Sequence, residues 1–424
     1  MNTSPARAAG ASAAARPGRS AARDTRQRSP TRADAPWASW VAMAQLTVLY
    51  AGSTLLTPLY RLYREAFGFS HLTLTLIYAA YVVGNLIALL LLGRLSDQLG
   101  RRVVNLAAFA IAACATLLFL VSSSVAWLFA GRIVSGLAIG LGATATTAWL
   151  SELSPDKRRA TLFATEGNFA GLALGALPAG LLAAYLPWPL RLSFVIYLGA
   201  LCLLTVAVAR APETLSRPVR SVKELSLRPR LGVPRELLGS FMAPAAIGFA
   251  TFAVIGYYGA LIPSLLAQAL SLKNPAVAGA IVALLSLLGA IAGMATRKLS
   301  SRTAMLAGSA LLLPGTALLP FAEGLHSLAL LLGGTVVTAA ATMLAYRGSL
   351  EVVNQIAPRE RRAEVLSSYI LFMYAGNSLP IIGIGLLSSA TSSLTADVTF
   401  ALVIAACAVL ALMLGAKRLP SCTS

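Results

Sequence analysis

Gly93-Arg94-Leu95-Ser96-Asp97-Gln98-Leu99-Gly100-Arg101-Arg102 separates two runs without a single charge, residues 72–92 before it and 103–121 after it. Crossing a hydrocarbon core of about 30 Å takes roughly 20 predominantly apolar residues in a helix. Both runs meet that length, so the ten residues read as a polar loop joining two membrane helices. Extending the same reading outward gives twelve runs, near 37–60, 72–92, 103–122, 125–149, 160–185, 191–209, 239–268, 276–296, 303–322, 326–346, 365–388 and 398–415. The first and seventh are expected to bend at Pro58 and Pro263, because proline removes a helix donor and crowds the preceding turn. The short alternating strands that a membrane barrel needs do not occur. The fold class is therefore an all-α polytopic membrane protein with twelve transmembrane helices.

Composition supports this reading. The 424 residues are 57% hydrophobic and only 12% charged, too apolar for a soluble domain of that length. The net charge of +19 raises the question of nucleic acid. Placement answers it. With an even number of spans, only Arg61, Arg64, Arg191 and Lys273 fall on one side, and Arg132 lies within a span; the rest of the 34 Lys and Arg fall on the other. That asymmetry is the positive-inside bias, which puts both termini in the cytoplasm. It accounts for the charge without nucleic acid. Residues 1–36 are rich in Ala, Arg, Ser and Pro and have no apolar core of a signal peptide. They read as a disordered basic tail. Cys114, Cys202, Cys407 and Cys422 are far apart and show no disulfide or metal spacing. No metal and no cofactor is expected.

The longest hydrophilic loop, 211–238, divides the spans into halves 37–210 and 239–416, with a short tail at 417–424. An internal echo supports the division: Pro155-Asp156-Lys157-Arg158-Arg159-Ala160 recurs as Pro358-Arg359-Glu360-Arg361-Arg362-Ala363. Each copy opens a span that carries a later proline, Pro178 or Pro380. A second echo, Gly293-Met294-Ala295-Thr296-Arg297-Lys298, keeps the glycine and basic residues of the opening loop but places Arg297 where the first copy has Asp97.

The opening loop meets every position of Gly-x-x-x-Asp-x-x-Gly-Arg-(Arg or Lys). It thereby resembles the loop between the second and third helices of the major facilitator superfamily, most of all its drug:proton antiporter branch. The resemblance implies two six-helix pseudo-repeat halves with a substrate site between them near the midplane. It also implies a gating role for Gly93, Asp97, Gly100, Arg101 and Arg102, in a charge cluster with the acid that ends the fourth span, here Glu152. Arg132-Ile133-Val134-Ser135-Gly136 is similar to the Arg-x-x-x-Gly motif of proton-linked members, although those often have Gln at the place of Ser135. The implied role of Arg132 is proton coupling; the alternative is an arginine snorkelling to the outer surface. Glu166, inside the fifth span, reads either as a reversible proton carrier or as a member of the inner charge cluster with Arg101, Arg158 or Arg159.

The same span carries Gly171-x-x-x-Gly175-Ala176-Leu177-Pro178-Ala179-Gly180, a weakened form of the exporter signature and a helix-packing motif in any case. Ala211-Pro212-Glu213-Thr214 resembles the exit of the sixth helix in many carriers. The first span lacks the acid common among proton-coupled exporters, which puts the usual proton–substrate competition in doubt or shifts it to Glu166. Aromatic and amide residues remain as cavity lining: Gln45, Tyr50, Tyr81, Asn85, Asn168, Tyr257, Tyr258, Tyr346, Tyr374 and Asn377. Such groups suit uncharged or amphipathic ligands.

No phosphate-binding Gly-x-x-x-x-Gly-Lys loop and no buried catalytic set occurs, which argues against an ATP-driven pump or an enzyme. The expected protein is a monomeric secondary transporter of a bacterial inner membrane, exporting a small organic or drug-like molecule against protons. Uptake of a sugar or organic acid is the alternative, and a flux-free receptor a minor one.

Overall fold

A computed structural model describes residues 36–154, 156–215 and 231–418. The basic N-terminal tail apart from Pro36, most of the 211–238 linker, Pro155 of the repeat and the last six residues, Cys422 among them, lie outside the described residues.

Among the described residues the chain is helical with no strand. The helices are α1 Pro36–Thr54, α2 Tyr60–Phe67, α3 His71–Ile87, α4 Leu95–Leu99, α5 Arg101–Leu120, α6 Val125–Leu153, α7 Lys157–Tyr185 and α8 Leu192–Arg210. They continue as α9 Leu238–Ala260, α10 Ile262–Gln268, α11 Pro275–Ala295, α12 Ser301–Gly324, α13 Leu328–Ile356, α14 Arg362–Ala390 and α15 Ser393–Arg418. Twelve spans are long and apolar enough to cross a membrane, one for each run seen in the sequence. Helices are favoured there because a lipid-facing segment must satisfy its own backbone polar groups.

The first span extends further than its sequence run, to Phe67. A single turn of 3-10 helix at Thr57–Leu59, carrying Pro58, separates α1 from α2, and Gly68 ends α2 with a left-handed φ of 66°. The seventh span breaks as expected, at Leu261 before Pro263. Polar caps start the spans elsewhere: Ser70 accepts from the Thr73 amide and Asn274 from that of Ala276. Large apolar side chains such as Leu203, Leu402 and Phe321 are exposed around the outside, which is the surface that lipid covers.

Two six-helix halves result, α1–α8 and α9–α15. Within the halves, α1 packs on α7, α3 on α6, α9 on α14 and α12 on α13. Two seams join the halves, α7 against α11 and α3 against α14. These are images of one another under the repeat, since α11 holds the place of α3 in the second half and α14 that of α7.

Candidate functional site

We call the side carrying the 93–102 loop the basic face. From the opposite face to the midplane the halves are sealed. Thr57 donates to the Gly259 carbonyl at 2.9 Å and Arg61 to that of Lys273 at 2.5 Å. Gln268 bonds His71, the Asn274 amide donates to the Tyr185 hydroxyl, and Tyr78 donates to Asn377 Oδ1 at 3.2 Å. The bond nearest the basic face is Asn85 Nδ2 to the Tyr374 hydroxyl at 2.8 Å, near the midplane. One apolar cluster, from Leu55 and Tyr60 to Tyr257 and Ile384, draws on both halves. Near the basic face the clusters separate: Phe241, Val353 and Tyr369 pack within one half, and Val104, Ala108 and Leu141 within the other. Among the described residues, no hydrogen bond crosses between the halves on that side.

The ceiling of this open side is aromatic. Tyr50, Tyr81 and Tyr374 pack in one apolar cluster, and the Phe252 ring lies 5.6 Å from that of Tyr374 and 5.8 Å from that of Tyr346. Asn85 also donates to the Tyr81 hydroxyl at 3.1 Å while its Oδ1 has no partner. Five of the ten residues singled out in the sequence, Tyr50, Tyr81, Asn85, Tyr346 and Tyr374, thus meet at one place, with Phe252 as an unforeseen sixth. Asn168 is half-buried on α7, next to Phe169, which faces Gly289 of α11. Gln45 is fully buried on α1, and neither of its amide atoms has a hydrogen-bond partner among the described residues. The structure places the other three elsewhere. Asn377 joins the seal, Tyr258 bonds Thr335 inside the second half, and Tyr257 donates to Asp397 at 2.6 Å.

Arg132 lies seven residues into α6, roughly 10 Å below the opposite face at 1.5 Å per residue. It does not snorkel: it is 1% exposed. Its guanidinium donates to the Ser53 carbonyl at 3.0 Å and to the Tyr60 hydroxyl. It also sits 5.4–5.5 Å from the ring centroids of Tyr60, Tyr78 and Tyr81. A desolvated cation–π contact contributes up to about 2 kcal/mol, against roughly 2.5–3.5 kcal/mol to insert an arginine at mid-helix. Three rings and two hydrogen bonds offset that cost without a carboxylate. Through Tyr78 and Tyr81 the cation supports both Asn377 and Asn85–Tyr374, the contacts between halves.

On the basic face, Arg101 reaches Asp97 at 2.5 Å and Glu152 at 2.8 Å and donates to Ser96. Of the residues grouped by the loop reading, Asp97, Arg101 and Glu152 meet, whereas the Arg102 side chain donates to the Ala209 and Ala211 carbonyls and Gly93 lies against the Leu89 carbonyl. Glu213, noted in the sequence only as part of an exit motif, does more. Its carboxylate accepts the amides of Arg101 and Arg102 at 2.9 and 3.0 Å, capping the positive N-terminus of α5. Thr214 next to it donates to Glu152. Gly100 makes this possible. Its φ is +110°, and a Cβ there would lie 2.7 Å from Glu213 Oε2. We expect Gly100→Ala to cost about 1–3 kcal/mol of local strain, seen as a lowered midpoint of thermal unfolding of the purified protein; an unchanged midpoint would remove the cap from this account. All of these partners belong to the first half or to the start of the linker that follows it. Glu166 is half-buried on α7 and, among the described residues, bonds neither Arg101 nor Arg159; the Arg158 side chain lies outside them.

The packing glycines have defined partners. A Cβ at Gly171 or Gly175 would strike the carbonyls of Thr47 or Ala51 on α1, at 2.4 and 2.1 Å, and one at Gly180 the Pro275 carbonyl of α11 at 2.5 Å. The first two close α7 onto α1 within a half; the third sets the seam between halves. Pro178 lies inside α7 between them.

Residues 42–379 match the family model of the Major Facilitator Superfamily. A class H tetracycline resistance protein of Pasteurella multocida is 34% identical over 115 residues, covering 26% of this chain and 28% of that protein. The arabinose-proton symporter of Bacillus subtilis is 28% identical over 101 residues, 24% of this chain and 22% of its own. The facilitated glucose transporter member 12 of Xenopus laevis is 35% identical over 111 residues, 26% and 18%. The chain spans less than a third of the length of these curated relatives. Among solved structures, a D-xylose-proton symporter aligns with TM-score 0.70 at 15% identity, covering 90% of this chain and 97% of that one. The nucleoside transporter NupG gives 0.70 at 13%, covering 89% and 99%. Those identities speak for the fold. With the family model spanning most of the sequence and twelve membrane helices in two matched halves, the chain belongs to the Major Facilitator Superfamily, whose members are multi-pass membrane transporters and not enzymes.

Proposed function

We propose that the protein is a secondary transporter working by alternating access, and that it exports a small organic or drug-like molecule in exchange for protons across a bacterial inner membrane. The observation that carries alternating access is the one-sided seal: halves joined from the midplane to the opposite face, with an aromatic and amide ceiling beneath. The positive-inside bias makes the basic face cytoplasmic, so the arrangement is the inward-open member of the cycle. The opposite face is then the outer one. Tyr50, Tyr81, Asn85, Tyr346 and Tyr374 would receive an uncharged or amphipathic ligand. Similarity to the tetracycline resistance protein favours export. Similarity to the arabinose-proton symporter and the glucose transporter favours a second reading, uptake of a sugar.

In proteoliposomes with a pH gradient and an entrapped pH dye, a tetracycline is expected to move protons opposite to itself. A sugar moving protons along with it would replace export by symport, and no proton movement with either class would sink both. In the cycle, the Asp97–Arg101–Glu152 cluster acts when the inner face closes. Asp97 is 59% exposed, so its ion pair contributes at most about 1 kcal/mol to stability. Asp97→Asn is accordingly expected to insert and fold normally while flux falls roughly tenfold, in the range of conformational coupling energies. Wild-type flux in that variant would remove the gating role.

A further inference from the structure

Beyond the aromatic ceiling and the inner cluster, the fold buries two acids that neither uses. Glu323 ends α12 and Asp397 opens α15, both near the outer face and 7% and 6% exposed. Both carboxyl groups line one cleft between these two helices. Tyr257 of α9 donates to Asp397 Oδ2 at 2.6 Å, with its ring stacked on Phe400 at 4.9 Å. Ser393 donates to Glu323 Oε1 at 2.5 Å. Glu323 Oε2 is left buried with no donor among the described residues. The two acids line a small cleft with His71, Gln268, Ser388 and Ser393. Two buried carboxylates lining one cleft repel when both are ionised; one proton between them removes the repulsion and gives the orphaned oxygen a hydrogen bond.

We propose that Glu323 and Asp397 form a proton-binding carboxyl pair whose occupancy is linked to closure of the outer face. The bound form is a carboxylic acid hydrogen-bonded to a carboxylate. Release transfers the proton to water and leaves two carboxylates. The link is short in space: Tyr257 lies two residues before Gly259, whose carbonyl accepts Thr57 across the halves and against which the Tyr78 ring packs. Gln268, at the end of α10, bonds His71 of the first half in the same cleft. Losing the proton sets α12 and α15 in repulsion beside that contact and loosens the seal. The ionisable groups facing the pair are Tyr257 from α9 and His71 from α3, with Arg64 of α2 behind the histidine. From α14 come only Ile384, Gly385 and Ser388.

This inference deepens the alternating-access reading, and its test needs no substrate. Infrared pH titration of the purified full-length protein is expected to show the C=O band of a protonated carboxyl at neutral pH, absent from Glu323→Gln/Asp397→Asn. Asp397→Asn alone keeps an acceptor for Tyr257 and serves should the double variant fold poorly; there the band is lost or shifted. Identical spectra in wild type and variants would overturn the pair. Loss of the band in sodium but not potassium chloride would overturn it too, in favour of a cation site. For the link, spin labels at Ala66→Cys and Leu325→Cys, on a background with the four native cysteines replaced by serine, report the separation of the outer ends. The distance distribution is expected to lengthen as pH rises in the otherwise native protein and to stay fixed in the double variant; pH-independence in both would overturn the coupling. A band that persists while no compound moves protons would leave the pair standing and sink the export reading alone.

Discussion

Arg132→Ala is expected to abolish transport while the protein still reaches the membrane at normal levels. The substitution removes a charge that is costly to insert, so biogenesis gains by about 2.5–3.5 kcal/mol on insertion scales. What it loses is the centre of a three-ring cage that holds Tyr60 at the α1–α2 break and Tyr78 and Tyr81 on α3. Those tyrosines carry the contacts to Asn377 and, through Asn85, to Tyr374. Hydrogen bonds to a charged donor contribute about 1.5–3 kcal/mol each, and every 1.36 kcal/mol is tenfold in rate. A loss on the order of 100-fold in flux follows. Arg132→Lys keeps the charge but not the planar fork that reaches Ser53 and Tyr60 together, and is expected to fall between. Counterflow in proteoliposomes, normalised to protein recovered by size-exclusion chromatography, checks this; a fully active Arg132→Ala would reduce the cage to packing.

The second large effect is expected at Gly279 of α11. A Cβ there would stand 2.4 Å from the Ala176 carbonyl of α7. The clashing atom is backbone, so it cannot rotate away as a side chain would. Overpacking a well-fitted interior costs about 1–3 kcal/mol, but this contact lies between the halves, and the molecule has a way to relieve it. It opens. Gly279→Val is expected to leave each half folded, hold the outer face apart and stop transport. Labelling of Thr57→Cys at that face should rise severalfold in a background without the native cysteines. Gly199→Val is the control, because a Cβ at Gly199 meets nothing within 4 Å. Equal labelling of both variants would show that the seam yields elsewhere.

Much of the architecture was legible in the sequence because a bilayer imposes a length on apolar runs. All twelve were found, and the proline bends at Pro58 and Pro263 fell where expected. The first span was read too short because α2 is amphipathic, with Arg61, Arg64 and Glu65 among its eight residues. The Asp97–Arg101–Glu152 cluster was legible because its spacing is carried by a loop and a span end. The cavity was legible only in part. Tyr257 and Tyr374 look alike in sequence, and an apolar membrane helix gives no stripe to say which face points inward. Glu323 and Asp397 escaped notice because an acid at a span end reads as loop; only the packing of α12 against α15 buries them. The role of Glu213 was hidden for a similar reason, since capping α5 depends on a partner more than a hundred residues away.

Part of the seal opposite the basic face is made against main-chain oxygens: Gly259 and Lys273 accept from side chains, while Ala176 and Pro275 receive the flanks of glycines. A carbonyl is supplied by any residue, so the accepting positions are free to drift while the donors and glycines are not. Saturation mutagenesis across this face should therefore give a lopsided map, intolerant at Thr57, Gly180 and Gly279 and permissive at the exposed Lys273. The inner cluster, built from carboxylate and guanidinium alike, should be intolerant on both sides of each contact. Two gates of one cycle would then diverge at different speeds, and a lineage could change the sealed face long before it could rewrite the 93–102 loop.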